Sequence, residues 1–141
     1  MKHRLIEAPV ILAMSLVLGT PAAAETISLF CPIDRFPGWT YTVDLDYAVG
    51  TITIDLAEGG EPRNHFGPSA AAITDRAIKF EMRDSSPNVN GWPTGFWSYT
   101  LKGSIDRLAG SLAATQCSFA KGENQGCVSH QLPCRRATQK F

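Results

Sequence analysis

The chain has 141 residues with 13 basic and 13 acidic side chains, so its formal charge at neutral pH is zero with the three histidines uncharged. That balance excludes an electrostatic binder of nucleic acid or of an anionic membrane surface, which concentrates Lys and Arg on one face. The length admits one domain with a sizeable core and no second one once an N-terminal segment is set aside.

Lys2, His3 and Arg4 give that segment a positive start, Val10 to Leu18 is a nearly continuous apolar run, and Gly19 to Ala24 ends it with small residues. The order of charge, apolar core and Ala-x-Ala is that of a secretory signal peptide over residues 1–24, with the mature chain beginning at Glu25. The run is far short of the roughly 20 residues that span a bilayer, and Gly19 and Pro21 interrupt any helix beyond it. With no cysteine at the cut, a lipid anchor is not expected. The expected product is periplasmic or secreted, without membrane insertion. Its 117 residues carry 11 basic and 12 acidic side chains once Lys2, Arg4 and Glu7 are removed.

From Glu25 on, the dominant pattern is alternation with period two, the mark of strands with one face buried. Ile27 to Ile33 opens the series. Tyr41, Val43, Leu45 and Tyr47 then share one face, and after a turn at Ala48-Val49-Gly50 so do Ile52, Ile54 and Leu56, which predicts a hairpin. Glu58 to Pro68, rich in Gly, Pro and Asn, reads as a loop. A short Ala70–Thr74 segment and the alternating Ile78, Phe80 and Met82 follow. Ser85 to Gly95 holds two prolines, two asparagines and two glycines and reads as a second loop. Trp97, Tyr99 and Leu101 begin the next strand, which turns at Asp106 to Gly110 into Ser111–Ser118. About seven strands joined by short turns predict an all-β antiparallel meander forming a small barrel or a sandwich, residues 25–141 being one domain with a flexible, basic C-terminal tail at Arg135, Arg136 and Lys140. Barrel closure would remove exposed strand edges.

Four cysteines in a small exported domain point to two disulfides. Zinc sites need closely paired ligands, and successive cysteines here stand 86, 10 and 7 positions apart, so no metal is expected. Cys31 is in phase with inward-facing Ile27, Leu29 and Ile33, whereas Cys117 is in phase with Ser111, Ala113 and Thr115, which face out. The expected pairing is therefore Cys31 with Cys134 and Cys117 with Cys127.

The densest aromatic stretch nominates Trp92, Phe96 and Trp97 as a binding patch, against the plainer reading in which Trp97 and Tyr99 are core and Trp92 plugs one end of the fold. Asp44, Asp46 and Asp55 lie on the polar faces of adjacent strands, where carboxylates can bind calcium or act as acid and base, or simply be solvated. His65 and His130 stand in polar contexts without a third ligand or a nucleophile. Esterase-elbow, zincin, phosphate-loop and dinucleotide motifs are missing, and no catalytic residue or cofactor is assigned.

The segments Tyr41 to Asp46 with Gly50 to Ile54, and Tyr99 to Leu101 with Ile105 to Leu112, resemble the repeated hairpins of small secreted bacterial β-barrel proteins without an assigned function. A more distant, architectural similarity is to periplasmic lysozyme inhibitors and metalloprotease inhibitors, whose Ser-Gly-rich inhibitory loop this chain lacks. The resemblance implies a stapled β scaffold and carries over no site residue. The expectation is an exported, non-catalytic module that binds a protein or a small apolar partner, an inhibitor of a hydrolase being one form of it. The alternatives are an envelope enzyme using the strand carboxylates and a purely structural envelope protein.

Overall fold

The structure, a computed structural model, describes residues 26–84 and 91–137. The expected signal peptide, residues 85–90 of the loop expected from Ser85 to Gly95, and the last four residues, Lys140 among them, lie outside these. Ten strands follow in order: β1 (Thr26–Pro32), β2 (Trp39–Asp46), β3 (Thr51–Glu58), β4 (Glu61–Ala70), β5 (Ala72–Ile73), β6 (Ala77–Arg83), β7 (Trp97–Asp106), β8 (Ser111–Ala120), β9 (Glu123–Pro133) and β10 (Arg135–Arg136). They form two antiparallel five-stranded sheets, ordered β10-β1-β2-β3-β4 and β5-β6-β7-β8-β9. There is no helix among the described residues.

The alternating residues do what their period dictates. Tyr41, Val43 and Leu45 of β2 meet Leu56, Ile54 and Ile52 of β3 across the ladder, all buried. Ile78, Phe80 and Met82 of β6, Leu101 and Ile105 of β7, and Leu112 of β8 form the facing layer of one shared core. Burying side chains of this size contributes about 1.5–3 kcal/mol each relative to exposure.

The two sheets repeat one plan. In the β2–β3 turn, the Asp46 carboxylate accepts the N–H groups of Ala48 and Val49, and the Gly50 N–H donates to the Asp46 carbonyl at 2.8 Å. In the β7–β8 turn, Asp106 does the same for Leu108 and Ala109, and the Gly110 N–H donates to the Asp106 carbonyl at 2.9 Å. Gly50 and Gly110 take positive φ, 75° and 67°, which only glycine adopts without strain. Each glycine carbonyl then accepts the N–H of the single residue at which the chain crosses to the other sheet: Ala71, between β4 and β5, and Cys134, between β9 and β10. Strands that switch sheets at such corners are how two-sheet folds turn without loops.

The sandwich form is realised and the closed barrel is not. At one seam, β4 and β6 approach but share a single backbone bridge, Phe66 to Asp84, where Asn64 Nδ2 donates to Asp84 Oδ2 at 2.6 Å. At the other, β9 stays paired with β8 along its length, and only Arg135 and Arg136 cross to pair with Phe30 and Leu29 of β1. The expected basic tail is therefore, at these two arginines, an edge strand, with the Arg135 guanidinium 4.9 Å from the Phe30 ring centroid. Beyond that point no ladder joins β9 to β1, and Phe36 of the Ile33–Gly38 loop instead stands edge-on to His130 of β9. Two disulfides staple the result, Cys31–Cys134 across this seam and Cys117–Cys127 between β8 and β9.

Candidate ligand site between the sheets

The parting of β1 and β9 opens a cavity of about 450 Å³ between the sheets, at the end opposite the two Asp-capped turns. One sheet supplies Trp39 and Tyr41 from β2 and Leu56 from β3. The other supplies Tyr99 from β7, Gln116 and Ser118 from β8, and the Gln125–His130 stretch of β9, with Ile33 and Phe36 closing the side. Apolar lining with a few placed polar groups, at this volume, is the usual build of a small-molecule site.

No Asp, Glu, Lys or Arg lines the cavity, and its titratable groups are held neutral. Burial pushes the Tyr41 hydroxyl well above the usual phenol range, and it donates to Gln116 Oε1 at 2.7 Å. Burial raises Tyr99 as well, helped by the Asp84 carboxylate. His130 moves the other way: burial first, and then the Arg35 guanidinium, lower its pKa and favour the uncharged ring. That ring stands edge-on to Tyr41 and Phe36, with centroids 5.9 and 6.2 Å apart. Its Nδ1 is buried without a hydrogen-bond partner among the described residues. Buried polar atoms are satisfied in the great majority of cases, so such an exception needs a cause.

The three residues of the aromatic patch do come together. Trp92 stacks on Phe96 at 4.6 Å between centroids, and Trp97 stands edge-on to both at 6.3 and 5.6 Å. The Phe96–Lys121 backbone bond and the Lys121 ammonium, 5.7 Å from the Phe96 ring, fix the cluster to the β8–β9 turn. Trp97 shares a face of β7 with Tyr99, one pleat further out, about 7 Å along the strand. The cluster therefore forms an outer rim beyond the cavity, and Trp92, 49% exposed, caps Phe96 rather than plugging the core.

The carboxylates do not form a site. Asp44 accepts from Ser28 Oγ, Asp46 caps its turn, and Asp55 engages His65 Nδ1 at 2.5 Å on the outer face of the sheet. His65 and His130 are thus separated, one on an outer face and one at the cavity. No group of three His, Cys, Asp or Glu side chains with metal-binding geometry occurs among the described residues.

Sequence reasoning passed over Trp39, Tyr41, Tyr99, Gln116 and His130 as site residues. The available signal was parity: Gln116 and Ser118 follow Leu112 and Ala114 on the inward face of their strand, and a polar side chain in a core register asks for a partner. No protein family, no curated protein and no solved structure matches the chain.

Proposed function

We propose that this protein is an exported, non-catalytic binding module that takes a small, largely apolar ligand into the cavity between its sheets, with Trp92, Phe96 and Trp97 as the entrance rim. The observation that carries the reading is the aromatic, charge-free lining of the cavity. Export rests on the residue order at the N-terminus and is supported by two disulfides, which persist in oxidising compartments. A partner protein, a secreted hydrolase among them, would instead use the exposed rim, centred on Trp92. The engaged state of Asp44, Asp46 and Asp55 gives an enzymatic reading no support.

The test is titration with N-phenylnaphthylamine, an uncharged apolar fluorophore that brightens on leaving water. Saturable binding is expected for the wild type, strongly weakened in Ser118→Phe, which fills the cavity from its β8 wall, and weakened in Trp92→Ala. Unsaturable binding, or binding indifferent to Ser118→Phe, would overturn the proposal.

A further inference from the structure

We infer that the protein carries a second ligand site, at the end of the two Asp-capped turns, for a small carboxylate with an apolar tail. The tail lies against Ile27, Leu29 and Tyr47, and the carboxylate is held by the guanidinium groups of Arg107 and Arg136. The site is at the opposite end from the charge-free cavity and does not depend on it.

A hollow of about 480 Å³ opens there between the sheets, with the buried Leu45, Ile78 and Ile105 in its lining. Ile27 and Leu29, which pair with Leu45 and Val43 on the inward face of β1, also line it, as does Tyr47, and all three stay only half-buried. Apolar surface left wet on a core-facing side is what a hydrophobic tail covers, at roughly a fourfold gain in affinity for each methylene buried.

The charge is placed by a departure from the repeat. In one half the chain crosses at Ala71 into β5, which sets Ile73 opposite Ile78; in the other it crosses at Cys134 into β10, which sets Arg136 opposite Leu29. Directly opposed residues of an antiparallel pair project to the same face. Arg136 therefore stands on the core-facing side of its sheet, where the matching half has an isoleucine packed against the core. The turns differ in the same sense: the residue after the capping aspartate is Tyr47 in one and Arg107 in the other, and the Arg107 guanidinium lies 5.3 Å from the Tyr47 ring centroid. Both exchanges bring a cation to the rim of one hollow.

Neither cation is neutralised. Arg63 pairs with Glu58 at 2.8 Å, but no carboxylate lies within salt-bridge distance of Arg107 or Arg136 among the described residues. Arg107 donates one N–H to the Thr74 carbonyl at 2.7 Å, which fixes its guanidinium at the rim and leaves its other donors open. Asp106 is the one acidic residue of the lining, and its Oδ1 already accepts the N–H groups of Leu108 and Ala109. Two guanidinium groups against one carboxylate leave the rim one positive charge in excess, which a monoanion balances and a dianion overshoots. A guanidinium fork matches the two oxygens of a carboxylate, and the pairing is stronger at the mouth of an apolar hollow than in open water.

Four probes sharing an eight-carbon chain separate the terms: octanoate, octanol, octyltrimethylammonium and octyl phosphate, each titrated calorimetrically into the oxidised protein at neutral pH. Octanoate should bind tightest, about tenfold over octanol, the value of a charge-assisted hydrogen bond, and added salt should weaken octanoate while leaving octanol unchanged. Affinity should rise from butyrate through hexanoate to octanoate, about fourfold per methylene. Arg136→Gln should bring octanoate down to the level of octanol, and Arg136→Lys should restore part of the difference. Octanoate should shift the backbone amides of Leu29 and Arg136 in NMR spectra, and Ser118→Phe, which fills the other cavity, should leave its affinity unchanged. Octanol binding as tightly as octanoate would overturn the role of the arginines, and octyl phosphate binding tightest would overturn the choice of a monoanion. Loss of octanoate binding in Ser118→Phe would assign it to the other cavity and refute this site, as would the absence of saturable octanoate binding. The wild-type ranking and the amide shifts decide the matter even where an Arg136 variant does not fold.

Discussion

Removing the two disulfides one at a time should destabilise the protein unequally, by an amount that the chain itself sets. Cys31 and Cys134 are 103 positions apart and Cys117 and Cys127 are 10 apart. In the loop-closure model the long loop contributes about 4.7 kcal/mol at 25 °C and the short one about 2.7 kcal/mol, because each restricts the unfolded chain in proportion to the logarithm of its length. The long staple also ties β10 to β1 at the seam that backbone bonds leave open, with Cys31 fully buried, whereas β8 and β9 remain paired by their own ladder without help. Cys31→Ala/Cys134→Ala should therefore lie about 2 kcal/mol below Cys117→Ala/Cys127→Ala in urea unfolding, which for a domain of this size lowers Tm by a further 8 °C or so. Loss of equal stability in the two double variants, or the reverse order, would refute both the entropic account and the role given to the seam.

Three further outcomes follow from single residues. Gly103→Ala places a Cβ 2.1 Å from the Ala113 carbonyl oxygen, so β7 and β8 must separate, and a loss of about 2–3 kcal/mol by chemical denaturation is expected. Asp46→Ala and Asp106→Ala each free two turn N–H groups and should cost similar amounts, about 1 kcal/mol apiece, by thermal unfolding, unequal losses being evidence that the two turns are not equivalent. Because the folded protein holds His130 below its ordinary pKa, the unfolded chain binds the extra proton first. The His130 contribution is whole above about pH 6.5 and lost as pH falls from there through the folded value. Comparing the pH dependence of Tm for wild type and His130→Phe isolates it, and identical slopes between pH 5 and pH 7, roughly the histidine window, would contradict a half-buried ring favoured in its neutral form.

Period-two alternation made the β2–β3 and β7–β8 hairpins legible, since each buries one face and wets the other, and the opposite phases of Cys31 and Cys117 within their strands carried the disulfide pairing. Three strands were hidden, one of them β10, whose Arg135 and Arg136 read as a tail. Glu61–Ala70 looks like a loop because Pro62, Gly67 and Pro68 fall within it. It forms β4 nonetheless, at the cost of two register shifts against β3, because Phe66 buries fully in the core. Glu123–Pro133 shows no alternation because β9 is an edge strand whose first seven residues are all exposed. The barrel failed for a related reason: period two reports which face of a strand is buried and nothing about whether the last strand reaches the first. The cavity was illegible on the same ground, being lined from β2, β3, β7, β8 and β9, whose proximity is decided by topology alone.

The repeat explains why the charge-free cavity lies at one end, whereas the hollow of about 480 Å³ at the turn end is lined in part by Asp106, Arg107 and Arg136. At the end with the Asp46 and Asp106 turns, the two halves match down to individual hydrogen bonds, and the chain crosses between sheets through a single residue on each side. At the other end the corresponding positions diverge: Leu56 beside Tyr41 on one sheet is matched in register by Gln116 beside Leu101 on the other. Ile54 pairs with Phe66, which is fully buried, whereas the matching Ala114 pairs with His130, which is not. Each exchange replaces apolar volume by a smaller or more polar side chain on the same sheet, the one that carries β9. Ala114 and His130 fill less of the core than Ile54 and Phe66, and Gln116 requires a polar neighbour, which Tyr41 supplies from across the core. A fold held equally at both ends would have no such asymmetry to place. Gln116→Leu with His130→Phe restores the first half's residues but leaves the buried Tyr41 hydroxyl without its partner, so it should cost about 1–3 kcal/mol in urea unfolding, whereas adding Tyr41→Phe, which removes both partners of the pair, should recover that loss. No recovery on adding Tyr41→Phe would refute the Tyr41–Gln116 pair as the source of the cost.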